Sequence, residues 1–259
     1  MIETNLLFLL LVGIFVGGAA GFLGSFMVLK RMALVGDAFT HVALPGLAIG
    51  LMLNIDPMLG AFAALVLAAL GIWYLEETSR IYPEALVGIF FTGALAVGIL
   101  ITPEPELLEA LFGDIQSITA VEGLVAIAAS ILITLVAYLI SRKVILGVIS
   151  EELARSLKIS NKAVNLLYLL LVTGVVTLGI RFVGTLLMGA LVIVPAAAAR
   201  NISRSLVSYY LFSALFGVAS AALGVYLSSL YAIPSGPAVV LASLGFFGGT
   251  FLLKKTFKA

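Results

Sequence analysis

Residues 6–29 read LLFLLLVGIFVGGAAGFLGSFMVL, a run without a single charge, closed at once by Lys30 and Arg31. Coiled as a helix it extends about 35 Å, enough to cross a hydrocarbon layer about 30 Å thick. Its flanks, Met1-Ile2-Glu3-Thr4-Asn5 before and a basic pair after, lack the basic leader of a secretion signal. The run is also too long for such a signal's core, so it reads as a retained membrane span. Further apolar runs follow to Leu253, in a chain of 259 residues that is 63% hydrophobic and 10% charged. The fold class is therefore an all-α polytopic membrane protein, one transmembrane domain over residues 1–259.

The runs place about nine spans, with eight possible, at 6–29, 33–53, 58–75, 85–102, 120–140, 163–180, 183–199, 206–230 and 237–253. Spans 33–53 and 183–199 are the weakest, the first for its Asp37, His41 and Pro45, the second for its shortness. If every span is a simple crossing, all of the 14 lysines and arginines except Arg181 fall on one side. Positive residues mark the cytoplasmic side. That predicts an external N-terminus and a cytoplasmic C-terminus.

Two connections exceed a tight turn. The external one, Thr102 to Asp114, is acidic, and Leu107, Leu108 and Leu111 have the spacing of a short surface helix. The cytoplasmic one, residues 141–162, contains Glu151-Glu152-Leu153-Ala154-Arg155-Ser156-Leu157 after Ser150. Serine caps, early glutamates and later basic residues suit a helix N- to C-terminus, and Leu153, Ala154 and Leu157 give it an apolar stripe. Such a helix can dock on another subunit or lie at the lipid interface; the pattern alone leaves both open. Glycines at four-residue spacing, Gly13-Gly17-Gly21, Gly46-Gly50 and Gly245-Gly249, let helices approach closely.

Several chemistries are excluded. Net charge +1 leaves no basic face for nucleic acid, and with no cysteine there are no disulfides or thiolate ligands. A single histidine rules out His-Glu-x-x-His, and neither a phosphate-binding Gly-x4-Gly-Lys-Ser/Thr loop nor Gly-x-Ser-x-Gly occurs. Glu122 and Asp56 sit at span ends and read as solvated end charges. Asp37 and His41 differ, because they share one face of an apolar span at i and i+4 beside Thr40 and Pro45-Gly46. Ionisable groups in a bilayer usually face a bundle interior or an aqueous path, and a carboxylate with an imidazole can share a divalent metal. The bland reading is a carboxylate at a helix start and a core histidine bonded to a carbonyl.

The stretch Arg31 to Gly46 resembles the signature of the zinc/manganese permeases of ATP-binding-cassette importers. Gly88-Ile89-Phe90-Phe91, Leu111-Phe112-Gly113-Asp114, Glu151–Leu157, Val183-Gly184-Thr185-Leu186-Leu187, Pro195–Arg200 and Pro234-Ser235-Gly236-Pro237 follow in the family's order. The resemblance covers nearly the whole chain and extends distantly to cobalamin and siderophore permeases. It implies a multi-pass subunit of a prokaryotic cytoplasmic membrane that imports zinc, manganese or iron. By the same resemblance two copies enclose the path, an extracytoplasmic binding protein delivers the metal, and ATP is hydrolysed on separate ATPase subunits. This chain would then be no enzyme and hold no cofactor. Asp37 and His41 would line the metal path, and Glu151, Glu152, Leu153, Ala154, Arg155 and Leu157 would dock the ATPase. A gradient-driven carrier and an intramembrane metal enzyme are the alternatives. One tension stands: a simple 33–53 helix puts the pair in the cytoplasmic half, so either the helix is broken or the pair acts near an inner exit.

Overall fold

In the computed structural model the described residues are 6–79, 81, 83–101, 111, 113, 115 and 118–256. They form ten helices: α1 (Leu6–Leu29), α2 (Ala33–Met52), α3 (Pro57–Thr78), α4 (Pro83–Ile101), α5 (Ala120–Ile149), α6 (Glu151–Ser156), α7 (Asn161–Val183), α8 (Met188–Ile202), α9 (Leu206–Tyr231) and α10 (Ser235–Thr256). Eight of them are long and apolar enough to cross a membrane. Helices are the natural answer here, because hydrocarbon offers no partner for an unpaired backbone group. The acidic external stretch, including most of its expected surface helix, lies outside the described residues.

Helix ends sort into two sets, as alternating crossings require. At the basic end Lys30 donates to Asn165, Lys162 pairs with Glu77, and Lys254 Nζ reaches Asn201 Oδ1 at 3.4 Å. At the opposite end Arg181 pairs with Glu122 at 2.7 Å, and Ser235 Oγ donates to the Phe182 carbonyl at 2.9 Å.

Two elements depart from the expected spans. Helix α5 runs on past residue 140 through Ser141-Arg142-Lys143 to Ile149, 30 residues in all, so much of the 141–162 connection is helix. Charges end an apolar run, but nothing in that stretch breaks a helix. The 183–199 span is the second departure. Gly184, at φ 86°, ends α7, and α8 starts four residues later and is 15 residues long. The chain still passes from end to end there: Leu186 N donates to the Leu111 carbonyl at 3.1 Å, while Asn201 donates to Thr250 at the basic end. This pass, seventh in chain order, is thus a non-helical entry followed by the short α8.

Helix α1 is the centre of the bundle, burying Val12, Val16, Ala19, Ala20, Leu23, Phe26 and Met27. Lipid chains are as apolar as leucine, so close packing rather than water exclusion holds such helices together. The closest seam is α1 on α9: a Cβ on Gly217 would lie 2.1 Å from the Gly17 carbonyl, and one on Gly21 2.3 Å from that of Ser213. Gly46 likewise faces the Gly60 carbonyl at 2.5 Å, joining α2 to α3. Gly245 and Gly249 do not serve this purpose within the chain, since a Cβ on either meets nothing within 4 Å.

Candidate metal-path site

Helix α2 is unbroken from Ala33 to Met52 although Pro45 lies inside it. The broken-helix resolution of the depth problem therefore fails. Met32 N donates to the Met27 carbonyl at 2.9 Å through a turn in which Arg31 takes a left-handed φ of 59°, so α2 starts level with the last turn of α1. Counted from Ala33, Asp37 lies about 6 Å and His41 about 12 Å along the axis. His41 is thus close to the middle of the helix, with Asp37 one turn nearer the basic end.

Three features set this turn apart from the rest of α2. The Asp37 carboxylate meets the start of α8, where a Cβ on Gly189 would lie 3.0 Å from both Asp37 Cα and Oδ1. The N-cap of α8, Leu187, has no capping side chain, so the positive end of that helix faces an acid. The His41 ring stands edge-on to Phe91 of α4, centroids 4.8 Å apart at 87°, and its Nδ1 is buried without a hydrogen-bond partner among the described residues. Pro45 supplies the third feature: having no N–H, it cannot bond the carbonyl four residues before it, which is that of His41. One turn therefore presents a carboxylate, an imidazole and a carbonyl released from the helix ladder. Thr40 is turned elsewhere, its hydroxyl donating to the Asp37 carbonyl at 2.6 Å.

The rest of the chain covers the same face of α2 only in part. Leu34 is 63% exposed and Ile49 46%, and between them Asp37, His41 and Pro45 are each partly open. An acid and an imidazole on a lipid-facing stripe would be costly, so the stripe calls for another protein surface or a watered path. No group of three or more histidines and acids that could hold a metal occurs among the described residues.

The other residues singled out in the sequence fall as follows. Helix α6 has Ser150 as its N-cap, accepting from Leu153 N at 3.2 Å, and an exposed Glu151–Arg155 pair at 2.7 Å. Ala154 is buried within the chain, whereas Leu153 and Leu157 are 45% and 56% exposed. Glu122 closes a capping box with Thr119 and pairs with Arg181. Asp56 caps α3, accepting from Met58 N at 2.8 Å. Gly189 and Phe91 were not marked as site residues; their part depends on α8 and α4 packing on α2, which no local pattern reveals. The sequence also gave no partner for Lys30. It donates to Asn165, which donates to Glu76 at 2.8 Å, tying the α1–α2 turn to α7 and α3 beside α6.

Comparison with known proteins gives a consistent answer. A model of the ABC 3 transport family matches residues 3–254. The manganese transport system membrane protein MntC of Halalkalibacterium halodurans is 31% identical over 92% of this chain and 83% of its own. The manganese import system permease protein ScaB of Streptococcus parasanguinis is 32% identical over 94% and 89%. The high-affinity zinc uptake system membrane protein ZnuB of Haemophilus influenzae is 30% identical over 92% and 93%. Among solved structures, PsaBC from Streptococcus pneumoniae in complex with Fab superposes with a TM-score of 0.83 at 30% identity, over 94% of this chain and 89% of that one. A transporter described as metal-chelate ABC type, facing inward, gives 0.72 at 17% identity over 94% and 84%, a likeness of fold alone.

Proposed function

The chain belongs to the ABC 3 transport family, and from that membership and the α2 geometry we propose that it forms the membrane path of a divalent-metal importer, Asp37 and His41 being its ligands. The relatives are named for manganese and zinc, and those metals are the proposed cargo. The observation that carries the reading is the partly uncovered α2 stripe, in which an acid and a histidine are the polar residues on a face the chain itself buries only in part. A second copy laid against that stripe would double the set to two carboxylates, two imidazoles and two released carbonyls. Carboxylate and carbonyl oxygens suit manganese, and imidazole suits zinc. The three donors of one copy are fewer than the four of a closed structural zinc site, which fits a site that must release its cargo.

Energy is to come from a separate ATPase docked on α6 and the adjoining basic end. Leu153 and Leu157 give that helix the exposed apolar anchors, and Glu151 and Arg155 the polar rim, that a protein contact uses. An extracytoplasmic binding protein would supply the metal at the opposite end. The test is uptake into vesicles holding this chain with its ATPase, with manganese, zinc and iron in competition. The reading expects uptake that needs ATP hydrolysis. Uptake by the chain alone under a proton or sodium gradient would instead establish a secondary carrier.

A further inference from the structure

At the basic end, a cavity of about 410 Å³ opens between the last turns of α1 and α8 and the first turn of α9. Its walls are Leu29, Arg200, Ser203, Arg204, Ser205, Leu206 and Tyr209. The two serines are already engaged. Ser203 Oγ donates to the Ala199 carbonyl at 2.7 Å, and Ser205 closes a reciprocal cap with Ser208 at the start of α9. The two arginines are not: neither makes an ion pair or side-chain hydrogen bond among the described residues. Tyr209 is 4% exposed, and its hydroxyl is buried with no hydrogen-bond partner among the described residues. Arg200 lies within electrostatic reach of it.

A buried hydroxyl without a partner is costly, and two unpaired guanidiniums beside it make a site of one sign. The N-terminus of α9 adds its positive end to the same mouth. Guanidinium forks and a hydroxyl donor match the oxygens of a phosphate group. We infer that Arg200, Arg204 and Tyr209 form a binding site for a phosphate group, of the kind an anionic phospholipid headgroup carries.

The surroundings favour the lipid as its source. Leu206, 42% exposed, and Leu29 give the cavity apolar walls beside its arginines. An acyl chain can rest on these walls while its headgroup sits between the arginines. The basic end is the side where positive residues meet the anionic cytoplasmic leaflet. The metal assignment plays no part in this inference.

The test is native mass spectrometry of the intact chain in detergent, titrated with phosphatidylglycerol and, separately, with inorganic phosphate. The wild type is expected to retain one tightly bound phosphatidylglycerol. Arg200→Gln with Arg204→Gln should weaken it about 25-fold, from about fivefold for each arginine near an anionic surface. Both arginines are exposed, so the fold should survive, and an unchanged melting temperature without added lipid checks this. Tyr209→Phe should weaken retention several-fold while leaving that temperature equal or higher, whereas a structural role would lower it. Saturable binding of inorganic phosphate that the double variant loses, without lipid retention, would support the site and make its ligand a free phosphate. Phosphatidylglycerol and phosphate bound equally by wild type and both variants would overturn it.

Discussion

Gly189→Ala separates the positioning of Asp37 from the stability of the bundle. The added Cβ would stand 3.0 Å from Asp37 Cα and Oδ1 and 3.2 Å from its Cβ. Ordinary carbon contacts lie at about 3.5–4.0 Å, so α2 and α8 must part by about 0.5–1 Å. Metal-ligand distances tolerate about 0.2 Å, so the carboxylate would leave the position proposed for it as a ligand. Stability should change little, because the crowding costs about 1–3 kcal/mol while alanine in place of a helical glycine recovers about 1 kcal/mol. The expected result is a melting temperature near that of the wild type and an initial rate of manganese or zinc uptake down about tenfold, the usual scale for disturbing a ligand's support. Uptake at the wild-type rate in a variant that folds normally would refute the claim that α8 sets the position of Asp37.

Gly217→Val tests the α1–α9 seam: with a Cβ 2.1 Å from the Gly17 carbonyl, the helices cannot pack, and the protein should fail to purify as a folded species. Normal melting would contradict the packing argument. Burial lowers the ammonium of Lys30 to about 8 from its ordinary 10.5, against the pull of Glu76. Between pH 8 and 10.5 the unfolded chain still holds a proton that the folded one has released, so stability rises with pH in that window. Melting curves should show the wild type gaining on Lys30→Met there, by about 3 kcal/mol at most; parallel pH profiles would show that the group is not buried as described. Leu153→Asp with Leu157→Asp should cut ATPase association about tenfold or more without lowering the melting temperature, and undiminished pull-down of the ATPase would remove α6 from the docking surface.

The membrane class and most helix limits could be read from apolar runs because hydrocarbon imposes both length and composition. Where the chain leaves that constraint, the reading blurred. Helix α5 continues to Ile149 because Arg142 and Lys143 stop a hydropathy window without stopping a helix. Hydropathy alone predicts a span from Val183 where α8 starts at Met188, since the turn set by Gly184 is as apolar as the helix after it. Asp37 and His41 were visible as an i, i+4 pair in an apolar span. The neighbours that give the pair its geometry were not. Gly189 and Phe91 come from helices far along the chain, and their contribution exists once α8 and α4 pack on α2. The glycine spacing was informative for Gly17, Gly21 and Gly46 but not for Gly245 and Gly249, whose faces stay open within this chain.

The central claim is that α2 carries the cargo through Asp37 and His41. The most direct measurement is ATP-driven manganese and zinc uptake by vesicles containing the chain and its ATPase, comparing wild type with Asp37→Ala and His41→Ala. Both side chains are partly exposed, so assembly and ATPase association should be retained while uptake is abolished. Uptake at the wild-type rate in both variants would contradict the account.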